Sequence, residues 1–439
     1  MSVERRGAGR RSVGRATPRE EDPARRGKAF DIPKKLVWES YKQVKASRGS
    51  AGYDGQTMTK FNEARNRNLY KVWNRLSSGS YHPPPVLRQE IPKADGRTRV
   101  LGIPTVADRI AQGVVKLHLE RELEGEFHAD SYGYRPGRSA HDALEVARRR
   151  CWQYPWVVEV DIKAFFDNVR HDLILRAVAA HRPPPWVMLY VRRWLEAPMV
   201  DRNGEVQERR RGTPQGGVVS PLLANLFLHY GMDLWMQRTF PENPFARYAD
   251  DSVIHCRNEW EAERIIQALR ARMADIGLEL HPKKTRKVYV GQGRGPTGVA
   301  REFTFLGYDF RQRTRMTRKG VLFRRIDPGA SKQAMRHMTR VITCWRIHRS
   351  SGATLKELSR RHNATLRGWI HYYGRYSYWN FNYRVWSVFQ SRLVKWTRWK
   401  YRLSQRAAEK KLARIRRTDP TLFAHWDLLR APSARSGAV

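Results

Sequence analysis

The stretch Phe245-Ala246-Arg247-Tyr248-Ala249-Asp250-Asp251-Ser252-Val253-Ile254-His255-Cys256 sets two apolar segments, 245–248 and 252–256, on either side of an acidic pair. That is a hairpin-like pattern with carboxylates at its turn. An isolated Asp-Asp pair is more often a mere turn former. A second acidic position lies upstream, where Asp161 ends the run Val157-Val158-Glu159-Val160-Asp161-Ile162. The β-branched content predicts a short buried strand there. Carboxylates in apolar surroundings are costly unless something positive compensates them. Oxygen-only ligands of this kind suit a hard ion such as Mg²⁺.

The charge balance narrows the partner. Lysine and arginine number 84 against 42 aspartate and glutamate in 439 residues, a formal net charge of +42. A chain that repels itself this strongly points to a polyanion, and nucleic acid fits best because each neutralised phosphate releases counterions. With 41% hydrophobic residues and this length, the chain can build two or three domains around a sizeable core. Cys151, Cys256 and Cys344 are far apart, with no Cys-x-x-Cys pair, so neither a zinc knuckle nor a disulfide framework is suggested. No apolar run approaches the roughly 20 residues of a membrane span, and the N-terminus lacks a signal-peptide core. The expected compartment is the cytoplasm, bacterial by preference, with no membrane partner.

Outward from the hairpin, other elements can be placed. Residues 1–30, rich in Arg, Gly, Pro and Ser, read as a disordered basic arm. The segment 139–151 predicts a helix capped by Ser139 with Asp142 three residues on. Ser220-Pro221 predicts a capped helix with proline at its first position. Asn258 and Glu261 predict another that ends near Gly277. Strands and helices mix without regular alternation to about residue 310, and the pattern after Ser331 is helical. The turn-rich Ile326-Asp327-Pro328-Gly329 is the expected boundary.

Three long motifs stand in order. Val158-Glu159-Val160-Asp161-Ile162-Lys163-Ala164-Phe165-Phe166-Asp167 comes first. Arg211-Gly212-Thr213-Pro214-Gln215-Gly216-Gly217-Val218-Val219-Ser220-Pro221-Leu222-Leu223-Ala224-Asn225 follows, and then Tyr248-Ala249-Asp250-Asp251. Together they resemble the catalytic blocks of reverse transcriptases. Ile91-Pro92-Lys93-Ala94-Asp95-Gly96-Arg97-Thr98-Arg99 resembles the family's fingers hairpin, and the block from Ser131 to His141 its next motif, a template contact. Ala51-Gly52-Tyr53-Asp54-Gly55, Phe303-Thr304-Phe305-Leu306-Gly307-Tyr308 and Leu366-Arg367-Gly368-Trp369-Ile370-His371-Tyr372-Tyr373-Gly374 resemble the N-terminal extension, the primer-side block and the maturase (thumb) signature of group II intron proteins. The resemblance covers about residues 35–400.

That resemblance implies an α+β right-hand polymerase fold: fingers and palm with an antiparallel sheet over 31–326, an α-helical thumb/maturase domain over 327–400, and a basic nucleic-acid-binding segment over 401–439. It implies an RNA-directed DNA polymerase, a nucleotidyltransferase. Asp161, Asp250 and Asp251 would be catalytic ligands of two Mg²⁺. Lys93 and Arg99 would bind the triphosphate, Phe166 would select the deoxyribose, and Gln215 would sit beside the incoming nucleotide. The partners implied are group II intron RNA, a DNA target and primer, and dNTP. Intron splicing and mobility are the implied roles.

The residues of the helical part agree with RNA binding. Aromatics interleaved with arginine can stack on unpaired bases and pair with phosphates. Between 392 and 417 there are 11 Lys or Arg against one acid, Glu409. Arg367, Tyr372, Arg375, Lys395, Arg398 and Lys400 are the candidate RNA contacts, whereas Trp369 and Tyr373 are expected to pack between helices. The paired cysteines and histidines of the zinc-linked endonuclease carried by many relatives are not found, so second-strand cleavage is not expected and a primer would come from elsewhere, such as a replication fork. Two other functions fit a basic, RNA-binding chain less well. An RNA-binding splicing chaperone without polymerase activity has no need of the intact aspartates. A free-standing reverse transcriptase of phage defence has no need of the thumb signature.

Overall fold

The computed structural model describes residues 28–92, 98–316, 320–376 and 378–429. They form two compact units. The first comprises the chain up to His118 together with residues 184–208, and the second comprises 119–183 with everything from Arg209 on.

In the first unit the Val86–Pro92 strand pairs antiparallel with Thr98–Ile103 and parallel with the two-residue strand Met199–Val200. The sheet is therefore mixed, not purely antiparallel as expected. Its core carries one buried carboxylate. Asp108 accepts hydrogen bonds from Tyr81 Oη (2.7 Å), Trp194 Nε1 (2.8 Å) and Gln112 Nε2 (2.9 Å). Burial raises the Asp108 pKa, and these donors oppose the rise. Phe30 donates its backbone N–H to Ser77, so the packed chain already includes the last residue of the expected arm. Residues 1–27 lie outside the described residues.

The second unit is built on a four-stranded antiparallel sheet in the order Phe245–Tyr248, Asp251–Cys256, Trp156–Asp161, Arg286–Tyr289. The central strand is buried at nearly every position, as a strand covered on both faces must be. Ala143, Leu144 and Ala147 of the Ala140–Arg150 helix share one apolar cluster with Val157, Val253 and Ala246. The Glu259–Asp275 helix buries Ala262, Ile265, Ile266, Leu269 and Met273. The expected caps are present: a Ser139/Asp142 capping box, Asn258 accepting from the Glu261 N–H, and Gly277 at φ 78° after the helix. Ser220 departs from expectation. Its hydroxyl accepts from Thr213 Oγ1 at 2.8 Å instead of capping its helix.

The boundary also differs. The 326–329 stretch is not a turn but part of the Leu322–Ala330 strand, paired residue by residue with Tyr308–Met316. Pro328 is tolerated because the strand lies at the edge of a three-stranded sheet. Asp327, only 2% exposed, is held by Arg148 Nε at 2.9 Å. Ser331 then caps the Lys332–Cys344 helix, where the helical part begins as expected. The division drawn at 400/401 cuts through a single core: Ala408, Leu412, Phe423 and Trp426 pack in one cluster with Phe389, Leu393 and Trp396. Among the described residues no helix is long and apolar enough to cross a membrane.

Two histidines give this unit an acid limit. His255 and His425 are almost wholly buried, and burial pushes the pKa of each down to about 3. They stay neutral when folded and take up protons near pH 6.5 when unfolded. Stability is thus full above pH 6.5 and falls as pH drops toward 3, by about 1 kcal/mol for each histidine between pH 6.5 and 5.5. Neither ring nitrogen of His255 has a hydrogen-bond partner among the described residues. His255→Leu is expected to shift the difference in stability between pH 7.5 and 5.5 by about 1.4 kcal/mol in favour of pH 5.5, read from the two denaturation midpoints. An unchanged difference would show that His255 titrates normally.

Candidate active site

Strand register assembles the carboxylates. Asp161 and Asp251 are direct cross-strand partners, so their side chains share one face of the sheet. Tyr248 pairs with Asp251, leaving Ala249-Asp250 as a two-residue turn. Ala249 adopts φ 58°, a left-handed conformation costly for a residue with a Cβ. Two neighbours hold it there. Gly133 comes so close that a Cβ on it would lie 2.4 Å from the Ala249 nitrogen. Arg247 donates from Nη1 to the Ala249 carbonyl at 3.1 Å.

Arg247 is fully buried, and all five of its guanidinium donors are used. Nε bonds Asp233 Oδ1 (2.6 Å), Nη1 also bonds Asn225 Oδ1 (2.7 Å), and Nη2 bonds Ser131 Oγ (2.8 Å) and the second Asp233 oxygen. Asp233 closes a π-helical turn, His229–Asp233, a distortion often found at functional sites. Sequence reasoning passed over this network. Its signal was an arginine inside an otherwise apolar strand, one residue before the Tyr248-Ala249-Asp250-Asp251 motif.

The second motif is strapped to the first by its backbone. Gly212 N–H donates to Val169 O and Thr213 N–H to Phe166 O, both at 2.7 Å. Gly212 takes φ 80°, and a Cβ there would meet the carbonyls of Phe166 and Asp167 at 2.8 and 2.7 Å. Phe166 is 9% exposed and lies edge-on to Phe165. Gln215 is half-buried. Lys93 lies outside the described residues, and Arg99 is exposed on its strand in the first unit.

The electrostatics call for a cation. Burial, together with the charges of Asp250, Glu159 and Asp161, pushes the Asp251 carboxyl up to about 7. The Leu306 N–H, 3.3 Å from Asp251 Oδ2, opposes the rise. Asp161 is faced by an ammonium group: Lys284 Nζ lies 3.2 Å from both of its oxygens. Among the described residues no three His, Cys, Asp or Glu side chains are gathered closely enough to hold an ion as they stand. The expected triad is therefore aligned along two strands and a turn without being drawn together. Like charges repel, and Lys284 takes Asp161 to itself. An all-carboxylate donor set, one member shifted by burial and by its neighbours' charge and another paired with a lysine, fits a hard divalent ion. Lys284 was not singled out from sequence.

The candidate RNA contacts divide. Arg367, Arg375, Lys395 and Arg398 are exposed, and the last two line a cleft of about 650 Å³ with Arg416 and Trp386. Tyr372 and Lys400 are structural instead. Tyr372 Oη donates to Leu306 O at 2.8 Å, and its carbonyl accepts from Tyr308 Oη and His141 Nε2. Lys400 Nζ donates to Ala353 O and lies 5.1 Å over the Trp396 ring. Trp369 and Tyr373 pack against the helical core, as expected.

Comparison with known proteins agrees with this arrangement. Residues 91–310 match the model of the reverse transcriptases (RNA-dependent DNA polymerases), and residues 335–414 match the group II intron maturase-specific domain. The chain is 30% identical over 295 residues to Protein YkfC of Escherichia coli, covering 58% of this chain and 74% of that protein. It is 34% identical over 260 residues to the group II intron-encoded protein LtrA of Lactococcus lactis, covering 57% of this chain and 42% of that protein. It is 35% identical over 229 residues to an uncharacterized 91 kDa protein in the cob intron of Schizosaccharomyces pombe, covering 50% of this chain and 28% of that one. The chain thus spans less than half the length of two of these three relatives. The reverse transcriptases work with divalent metal ions, which accords with the carboxylates at the hairpin. An α+β unit carrying those carboxylates, followed by a helical maturase-specific domain, places this chain in the reverse transcriptase family, among the group II intron-encoded proteins.

Proposed function

We propose that the chain extends a DNA primer on an RNA template and, with the basic face of its helical part, holds group II intron RNA during splicing and mobility. The observation that carries the catalytic reading is the Asp161–Asp251 register with Asp250 at the adjoining turn. Asp161, Asp250 and Asp251 would hold two Mg²⁺, which lower the pKa of the primer 3′-hydroxyl and offset charge on the departing pyrophosphate.

The chain's own residues do the rest. The 3′-hydroxyl gives up its proton to solvent as its oxygen forms a bond to the α-phosphorus of the dNTP, and the bond from that phosphorus to the bridging oxygen of pyrophosphate breaks. Lys93 and Arg99 offer positive charge to the triphosphate. Phe166 presents a ring whose bulk opposes a 2′-hydroxyl, and Gln215 flanks the nucleotide. Arg367, Arg375, Lys395 and Arg398 supply exposed cations for RNA phosphates. DNA-target contact rests on the same positive charge.

The test is extension of a DNA primer annealed to an RNA template with Mg²⁺ and dNTPs, run beside splicing of a group II intron without dNTPs. Extension is expected only in the complete mixture, and stimulated splicing in the mixture without dNTPs. Splicing without any extension would leave an RNA chaperone.

A further inference from the structure

The Trp156–Asp161 strand has a second end. Its six residues carry the chain about 16 Å from the carboxylates, at roughly 3.3 Å each. There Pro155 and Val290, joined by a backbone hydrogen bond, border a cavity of about 1120 Å³. Among the described residues no carboxylate lines it.

Its cations are of two kinds. Arg301 is committed to shape: it donates from Nη2 to Gly293 O at 2.7 Å and lies over the Tyr289 ring. Gln312 braces the same loop through Gly291 O at 2.8 Å. Arg294 and Arg324 are exposed, and neither side chain has an ion pair or hydrogen bond among the described residues. Flat groups lie beside them. The Arg325 guanidinium lies 4.2 Å over the Trp152 ring and 5.6 Å from Phe323, itself 36% exposed. Trp152 is fixed by its Nε1–H bond to Ile326 O at 2.8 Å.

We propose that this cavity docks a single-stranded segment of RNA, with phosphates on Arg294 and Arg324 and bases against Phe323 and the Arg325 plane. Guanidinium planes and aromatic faces are the platforms on which unpaired bases stack. Gln153 and Gln292 in the lining offer donors and acceptors for base edges. An acidic peptide would use the cations and leave the flat groups and amides idle. The volume exceeds the ~300–1,000 Å³ that holds a small molecule, which suits a length of strand. The proposal rests on RNA being the partner, but not on the chemistry at the aspartates.

The test uses the full chain, its Arg294→Gln/Arg324→Gln variant, and a 4-thiouridine-substituted single-stranded RNA of about 30 nucleotides. Loss of two phosphate contacts should flatten the log–log salt slope by about 1.4 and weaken binding about 10-fold at 0.15 M salt. Photocrosslinks in the unaltered chain should map to the peptides carrying residues 291–294 or Phe323, and disappear in the variant. Extension of a short preannealed primer–template should stay within about twofold, since the catalytic carboxylates are about 16 Å away along the strand. An unchanged slope with no crosslink at these peptides overturns the proposal. So does displacement of the crosslink by polyglutamate at equal charge. Absence of extension in both proteins would count against the polymerase reading alone, because the crosslink map is independent of it.

Discussion

Asp250→Ala is expected to reduce primer extension by about 10³-fold or more while RNA affinity stays within about twofold. The geometry separates the two activities. Asp250 stands at the second position of the hairpin turn, and the left-handed backbone that shapes the turn belongs to Ala249. Alanine at 250 therefore removes a carboxylate without asking the backbone to change, and the denaturation midpoint should barely move. Asp161→Asn should give the same kinetic loss, because its cross-strand partner Asp251 cannot by itself hold the metal ions that would offset the charge of the reacting phosphates. RNA affinity draws on exposed cations elsewhere in the chain, so filter binding should not register either change. A variant at 250 that extends primers at the normal rate would remove the hairpin from the chemistry.

The largest effect on stability is expected at Arg247. Arg247→Leu leaves the Asp233 carboxylate, 0% exposed, without its partner and deprives Asn225, Ser131 and the Ala249 carbonyl of their donors. Breaking a buried pair from one side costs about 3–5 kcal/mol. At roughly 2–4 °C per kcal/mol for a unit of this size, the thermal midpoint should fall by about 10 °C. Arg247→Lys should fall nearly as far, since one ammonium cannot serve the positions of a planar fork. Removing both charges, in Arg247→Leu/Asp233→Leu, should recover part of the loss. A single variant as stable as the parent would mean that the network contributes nothing. Because the Ala249 carbonyl is one of the lost partners, the folded fraction of Arg247→Leu should also extend primers more slowly.

What could be read from the sequence was what local chemistry writes into adjacent positions. The hairpin, the strand ending at Asp161, the Ser139 capping box and the Asn258 cap each depend on residues a few places apart, and each formed as expected. What escaped depends on partners far along the chain. Pro328 and Gly329 look like a turn until an edge position and the Arg148–Asp327 bond, 179 residues apart in sequence, make them part of a strand. Tyr372 and Lys400 look like RNA ligands until Leu306 and Ala353 claim their polar atoms. Lys284 looks like one surface charge among many until the fold sets it 3.2 Å from Asp161. In a chain this rich in lysine and arginine, composition cannot mark the few cations that serve the fold.

The peptide at Leu306 faces two ways. Its N–H reaches Asp251, its carbonyl takes the Tyr372 hydroxyl, and its φ of 50° leaves little slack between them. Tyr372 lies in the last turn of the Leu355–Tyr373 helix, whose exposed Arg367 faces solvent. A tug on that helix end thus reaches the Asp251 carboxylate through the backbone of a single residue, from its carbonyl across its Cα to its N–H. The proposed hold on RNA and the proposed chemistry therefore meet at one residue, Leu306.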